Sequence, residues 1–214
     1  MRNEFLKRFF STIILIPFVF FFIINGSFLF NLFIILCFII SAYEWHMMSK
    51  KKKYYILGLI FLIFSFCSIY LLRNNFTEGY HYLLFIIVAC ISTDIGGYLF
   101  GNIFKGPKLT KISPKKTYSG MCGGYLLAIL SSYFLTKFII IDSSIKPNIH
   151  LFIFSFFIST ISQLGDLVIS YFKRLSKIKD TGKLIPGHGG LLDRIDGMIF
   201  AFPFSYLILL TNII

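Results

Sequence analysis

Two aspartates stand inside apolar stretches of this sequence, Asp94 and Asp166. An ionisable residue within a membrane span costs at least roughly 2.5–3.5 kcal/mol, so such a residue is a functional candidate by default. Each aspartate lies six or seven residues before the end of its apolar stretch, which a basic loop follows. At 1.5 Å per residue, both carboxylates are expected about 10 Å from the basic end of their spans. The sequence therefore predicts one polar cavity, shared by the two carboxylates and open toward the basic loops.

A second concentration of reactive residue types follows, over residues 173–196. Asp193 and Asp196 are three residues apart, so both carboxylates are expected on one helix face. Such hard oxygen ligands suit Mg²⁺, which commonly takes one or two carboxylates plus substrate phosphates. The glycine-rich turn at 186–190 has amides that could approach an anion closely.

Basic residues accompany these carboxylates. Ser170 and Lys173 follow Asp166 at i+4 and i+7, which puts all three on one helix face. Lys115 and Lys116 form a second basic site in the loop after Asp94. Cations, carboxylates and glycines that meet at a membrane surface are typical of phosphoryl or nucleotidyl transfer to a lipid.

The composition supports a membrane protein. Of the 214 residues, 57% are hydrophobic and 14% charged, and the mean hydropathy is +0.80. Soluble domains average roughly 45–50% apolar and about 25% charged residues. These values exclude a disordered chain, a fibre and an ordinary cytosolic domain. The four cysteines have no Cys-x-x-Cys spacing, so neither a zinc site nor a disulfide framework is expected.

The elements that position these residues are predicted to be seven transmembrane helices, at about 9–24, 28–43, 54–72, 81–101, 121–141, 150–172 and 197–213. All but three of the 21 Lys and Arg residues fall at the N-terminus or in every second loop. The positive-inside rule then places the N-terminus and these loops in the cytoplasm and the C-terminus outside. This accounts for the net charge of +12 without a nucleic-acid partner. We expect an all-α polytopic bundle forming a single integral-membrane domain over 1–214, with an N-terminal helical hairpin at 1–43 and the catalytic part at 81–200.

The motifs of this chain resemble those of the phosphatidate cytidylyltransferase (CDP-diacylglycerol synthase) family. The family signature is matched by Ser170, Phe172, Lys173, Arg174, Lys179, Asp180, Pro186, His188, Gly189, Gly190, Asp193, Arg194, Ile195 and Asp196. An upstream pattern is matched by Asp94, Gly97, Tyr98, Gly101, Lys108 and residues 113–117, and residues 42–45 resemble a further family stretch. Two positions depart from the family pattern, Ile169 and Tyr118-Ser119.

The resemblance implies that CTP and phosphatidate react to give CDP-diacylglycerol and pyrophosphate, with Mg²⁺. It suggests Asp166, Asp193 and Asp196 as metal ligands. The catalytic candidates are Lys173, Arg174, Lys179, Asp180, His188 and Arg194. The substrate-binding candidates are Asp94, Lys115, Lys116, Ser170, Gly189 and Gly190. A homodimer in a bacterial inner membrane is expected, with the active site facing the cytoplasm. The alternatives are a CTP-dependent kinase of a polyprenol-type lipid and a small ion-coupled transporter that uses Asp94 and Asp166 as a relay.

Overall fold

The computed structural model describes residues 19–110, 112–140, 145–182, 184 and 189–211. Helices make up most of this part of the chain, following a short helical stretch at 19–25. They are α1 (Ser27–Ser49), α2 (Tyr55–Asn74), α3 (Gly79–Phe104), α4 (Tyr118–Phe134), α5 (Ile149–Leu175), α6 (Leu192–Ile195) and α7 (Met198–Leu210). A π-helical turn, Leu135–Ile139, extends α4. These ranges contain isolated bridge residues, among them the pair Lys108 and Thr117, but no β-strand, and the predicted all-α fold is confirmed.

Five helices of the described chain are long and apolar enough to cross a bilayer: Phe28–Ser49, Tyr55–Asn74, Gly79–Phe104, Tyr118–Ile139 and Ile149–Leu175. Their lengths of 20 to 27 residues suffice for a hydrocarbon core of about 30 Å. A helix also satisfies its own backbone hydrogen bonds, which lipid cannot do. The chain is therefore an integral membrane protein, and these helices match five of the seven predicted spans.

The two remaining predicted spans have a different outcome. The first, at 9–24, lies outside the described residues except for the helical positions from 19 onward. The last, at 197–213, corresponds to α7, which is apolar but has only 13 residues, or about 20 Å at 1.5 Å per residue. The count of seven spans and the orientation of the N-terminus stay predictions.

The chain divides into two compact units, each built from separate segments. The first unit contains the described residues up to Tyr70 together with Phe172–Ile195, and the second contains Leu71–Tyr171 together with the described residues from Asp196 onward. Two of the three boundaries fall within helices, one in α2 and one in α5, and the third lies between α6 and α7.

A cluster of aromatic side chains organises the first unit. The Trp45 ring packs edge-on against Tyr54 and Phe172, with ring centroids 6.0 and 5.5 Å away. Its Nε1 donates a hydrogen bond of 3.0 Å to the Tyr55 carbonyl oxygen. Gly58 leaves room for this ring, since a Cβ there would collide with the indole. The cluster joins the C-terminal end of α1 to the start of α2 and the end of α5.

Glycines organise the second unit. Helices α3 and α4 pack with Gly96 against Gly123 and with Gly97 and Gly101 near Gly120. A Cβ added to Gly96 would collide with the Gly123 carbonyl, so the two backbones touch directly. This is the small-residue packing by which membrane helices approach closely. Thr117 starts α4 by accepting a hydrogen bond from the Gly120 amide through its side-chain oxygen, at 3.1 Å.

Candidate active site

The predicted site residues are distributed over both units. Those in the first unit are Lys173, Arg174, Lys179, Asp180, Gly189, Gly190, Asp193 and Arg194, and those in the second are Asp94, Lys115, Lys116, Asp166, Ser170 and Asp196. His188 lies outside the described residues. Two clusters of these side chains, one in each unit, are described in turn.

Asp166 is the centre of the cluster in the second unit. Its Oδ2 forms an ion pair with the Lys116 ammonium group, and both side chains are 26% exposed. Its Oδ1 accepts a hydrogen bond of 3.2 Å from the Ser170 hydroxyl. Ser170 and Asp166 therefore lie on one helix face, as predicted. The structure adds a contact that was not predicted, between Asp166 and Lys116 of the preceding basic loop. Both charges of this partly exposed ion pair are thus accessible to solvent.

Backbone hydrogen bonds fix the loop that carries Lys116. The Leu109 amide donates to the Lys116 carbonyl at 2.8 Å, and the Tyr118 amide donates to Pro107 at 3.2 Å. The loop thus folds back on itself between α3 and α4. An open cavity of about 490 Å³ is lined by its residues Lys108, Leu109, Thr110 and Pro114. Lys115 is exposed at the same loop, beside the partly buried Lys116.

Asp193 is the centre of the cluster in the first unit. Its Oδ1 accepts a hydrogen bond of 2.9 Å from the Lys173 ammonium group. Its Oδ2 accepts from the amides of Thr181 at 2.8 Å and Gly190 at 3.0 Å. Burial raises the pKa of Asp193, but Lys173 and the two amide donors outweigh burial and hold that pKa below its usual value. Asp193 is therefore an ionised, buried carboxylate with three N–H donors.

The glycines of this segment allow the close approach. Gly189 has a φ of 89°, a left-handed conformation that L side chains rarely adopt. A Cβ on Gly190 would collide with the carboxylate of Glu44 and the hydroxyl of Thr181. We predicted that amides of the glycine-rich turn approach an anion. The Gly190 amide does so, and the anion is the protein's own Asp193 carboxylate.

Most of the other predicted site residues have exposed side chains. Arg174, Lys179, Asp180, Arg194 and Asp94 are exposed. Arg174 donates from Nη1 to the Ile178 carbonyl at 3.2 Å. Asp196 is 9% exposed and accepts a hydrogen bond of 2.9 Å from the Gly197 amide. The exposed arginines and lysine are accessible to a phosphate-bearing ligand.

The candidate metal ligands do not form a ready-made site in the described part of the chain. No group of three His, Cys, Asp or Glu side chains there is placed to hold a metal ion. An ionised carboxylate offers about four lone-pair positions, and the described donors to Asp193 use three. A metal here would need oxygen atoms from a substrate to complete its coordination, and the predicted ligand set stays a prediction.

Glu44 and Thr181 are functional candidates to which the sequence analysis gave no role, although Glu44 lies within residues 42–45, which resemble a family stretch. The Glu44 carboxylate is 4% exposed and accepts a hydrogen bond of 2.9 Å from the Thr181 hydroxyl. Two further donors are the amides of Leu191, at 2.9 Å, and Leu192, at 2.8 Å. Glu44 falls one residue after the predicted end of a span, between Tyr43 and Trp45. An acidic residue within an apolar and aromatic stretch was the available signal.

Comparison with known proteins gives a consistent result. Residues 54–211 match the model of the Cytidylyltransferase family. The chain is 37% identical over 212 residues to a phosphatidate cytidylyltransferase of Rickettsia bellii (strain RML369-C), covering 97% of this chain and 91% of the relative. It is 40% identical over 139 residues to the Bacillus subtilis (strain 168) phosphatidate cytidylyltransferase, covering 64% of this chain and 51% of that protein. A Staphylococcus saprophyticus protein of the same name is 34% identical over 184 residues, covering 83% of this chain and 68% of the relative.

Proposed function

Because this chain belongs to the Cytidylyltransferase family, we propose that it is an integral-membrane phosphatidate cytidylyltransferase of phospholipid biosynthesis. It converts CTP and phosphatidate to CDP-diacylglycerol and pyrophosphate. The observation that carries this proposal is the near full-length similarity, 37% identity over 97% of the chain, to a relative of that name.

The reaction is a nucleotidyl transfer. A phosphate oxygen of phosphatidate attacks the α-phosphorus of CTP and forms a new P–O bond. The bond from the α-phosphorus to the bridging oxygen of the β-phosphate breaks, and pyrophosphate leaves with that electron pair. The attacking oxygen is already anionic, so no general base is required. Such transfers depend on positioning and on neutralising charge rather than on covalent catalysis.

The protein's cations supply that neutralisation. Arg174, Lys179 and Arg194 are exposed, and we assign them to the triphosphate and the departing pyrophosphate. Lys116 lies beside Asp166 and would bind a phosphate of either substrate, with Lys115 next to it. Lys173 is buried against Asp193, so its ammonium group is held in one place before substrate binds. Asp94, Asp180, Ser170, Gly189 and Gly190 complete the proposed site, and His188 is assigned to ordering its loop or binding phosphate.

Mg²⁺ is part of the proposal, and the donor chemistry fits it. Hard carboxylate oxygens are available from Asp166, Asp193 and Asp196, and Mg²⁺ is commonly held by one or two carboxylates plus substrate phosphates. When bound, the ion would neutralise the charge of the triphosphate. Asp193 retains about one acceptor position beyond its three described donors, which is enough for a single metal bond.

The proposed setting is a bacterial inner membrane, with a homodimeric enzyme whose site faces the cytoplasm. The support for this orientation is the concentration of Lys and Arg in alternate loops. The Asp166 cluster contains Lys116 and the second cluster is centred on Asp193, and both of these residues lie in basic loops that the positive-inside rule assigns to the cytoplasm. CTP would then reach the site from the cytoplasm and phosphatidate from the bilayer.

Radiolabelled CTP tests the function directly. The purified enzyme should transfer label from the α-phosphate of CTP into lipid and release unlabelled pyrophosphate. Label entering lipid only from the γ-phosphate would replace this proposal with the polyprenol-type lipid kinase. Absence of transfer from both positions, with ion flux into vesicles that Asp94→Asn and Asp166→Asn abolish, would replace it with the transporter.

A further inference from the structure

The Glu44 carboxylate is the only buried side chain among the described glutamates, and each of its oxygens has a donor. The Thr181 hydroxyl and the Leu192 amide donate to Oε2, and the Leu191 amide donates to Oε1. A buried charge is tolerated only when it is paired or fully hydrogen-bonded. Here the required donors come from two stretches of chain that lie about 140 residues further along the sequence, at 2.8 to 2.9 Å.

The stretch held by Glu44 has little freedom to move. A Cβ on Gly182 or Gly190 would collide with the Glu44 carboxylate, so both backbones lie directly against it. Because the amides of Leu191 and Leu192 stand at the start of α6, their donation to Glu44 also fixes where that helix begins. The side chain on α1 therefore determines the position of the backbone immediately before Asp193.

Thr181 connects Glu44 to Asp193. Its hydroxyl donates to Glu44 at 2.9 Å, while its amide donates to Asp193 at 2.8 Å. Asp193 in turn accepts from Lys173 at 2.9 Å. Glu44, Thr181, Asp193 and Lys173 thus form one continuous hydrogen-bonded chain within the first unit. Networks of this kind hold their members more firmly than isolated contacts do.

We propose that Glu44 is a positioning residue for the nucleotidyl transfer. It sets the place of the Lys173–Asp193 pair through Thr181 and the backbone at 190–192, without touching substrate. Its low exposure, 4%, and its negative charge both exclude direct contact with a phosphate. This inference rests on the proposed function, since it assigns Glu44 to the same site.

The first test compares Glu44→Gln with Glu78→Gln, a matched change at a glutamate of the α2–α3 connection in the second unit. Glutamine keeps the shape of the glutamate side chain, but its amide N–H group would face one of the three groups that now donate to the carboxylate. One hydrogen bond is therefore lost. We expect kcat to fall at least tenfold while KM for CTP changes less than threefold, because misplaced groups lose transition-state contacts. Glu78→Gln should keep kcat within twofold.

The second test separates positioning from folding. Thr181→Val removes the hydroxyl donor and Thr181→Ser retains it. We expect Thr181→Val to lower kcat and Thr181→Ser to keep it near the wild-type value. In the double variant Glu44→Gln with Thr181→Val, the loss of transition-state stabilisation should be smaller than the sum of the two single losses. Hydrogen exchange of the Leu191 and Leu192 amides should accelerate in Glu44→Gln, with cooperative unfolding retained.

The outcomes distinguish the two proposals. If the wild type transfers α-label but Glu44→Gln keeps kcat within twofold and its Leu191 and Leu192 amides stay protected, the positioning role is wrong. If Thr181→Ser is as impaired as Thr181→Val, the hydroxyl is not the link and the proposal also fails. If the wild type transfers no α-label, the proposed function fails, while the exchange measurement still reports whether Glu44 orders this backbone.

Discussion

The Lys173 ammonium nitrogen lies 2.9 Å from the Asp193 Oδ1 oxygen, with their side chains 10% and 3% exposed. One residue stands in the last turn of α5 and the other in α6. Because both charges are buried, removing one leaves the other uncompensated, at a cost of ~3–5 kcal/mol. The pair thereby joins the end of a long apolar helix to the segment that carries the densest set of signature residues.

Lys173→Met is therefore expected to lower Tm in detergent and to abolish turnover. Lys173→Met combined with Asp193→Asn should recover part of the lost stability, because the unpaired carboxylate charge is gone, but it should not recover activity. Thermal unfolding and α-label transfer measure the two effects. Lys51→Met, at an exposed lysine, is the control and should leave both unchanged. Equal Tm values for the single and double variants would contradict the coupling.

The contact of Lys116 with Asp166 gives a second prediction. Lys116→Gln should reduce turnover at least a hundredfold, since losing one preorganised donor to the charge that develops in a transition state costs about 2.7–4 kcal/mol. Lys115→Gln should have a smaller effect, because Lys115 is exposed whereas Lys116 is partly buried against the carboxylate. Initial rates at several Mg²⁺ concentrations measure both variants. A larger loss of turnover for Lys115→Gln than for Lys116→Gln would mean that Lys115, and not Lys116, binds the substrate phosphate.

The contact between α3 and α4 predicts opposite behaviour for two adjacent glycines. Gly96→Ala should destabilise the protein by about 1–3 kcal/mol, because its Cβ would collide with the Gly123 backbone. Gly97→Ala should be neutral or slightly stabilising, since its Cβ would stand 3.8 Å from the nearest atom, the Gly120 carbonyl oxygen, and Ala favours a helix over Gly. Thermal unfolding of both variants checks this. A Gly96→Ala variant as stable as the wild type would show that the two helices do not pack through Gly96.

Topology can be tested at the C-terminus. Seven spans with a cytoplasmic N-terminus place Ile214 outside, so a periplasmic-type reporter fused there should be active. Helix α7 has only 13 residues, fewer than the roughly 20 that cross a bilayer unaided. A cytoplasmic reporter signal would mean that α7 and the residues after it do not cross, which leaves six spans.

Sequence patterns predicted the features that depend on the spacing of nearby residues. The apolar stretches gave five of the helices, the i+4 relation placed Ser170 on Asp166, and the motifs from Asp94 to Asp196 gave the family, which the match over 54–211 confirms. Contacts between distant segments were not predictable. Glu44 meets Leu192 across 148 residues, and no periodicity encodes that pairing. The Lys173–Asp193 pair was also missed, because both residues were assigned to substrate or metal rather than to each other.

The glycine contact between α3 and α4 also restricts where a lipid tail can lie. At Gly96 the backbone of Gly123 is so close that even an added methyl group would collide with it. An acyl chain therefore cannot pass between the two helices at the level of Gly96. Under the proposed function, phosphatidate would therefore bring its phosphate to Lys116 without passing an acyl chain between these helices at Gly96.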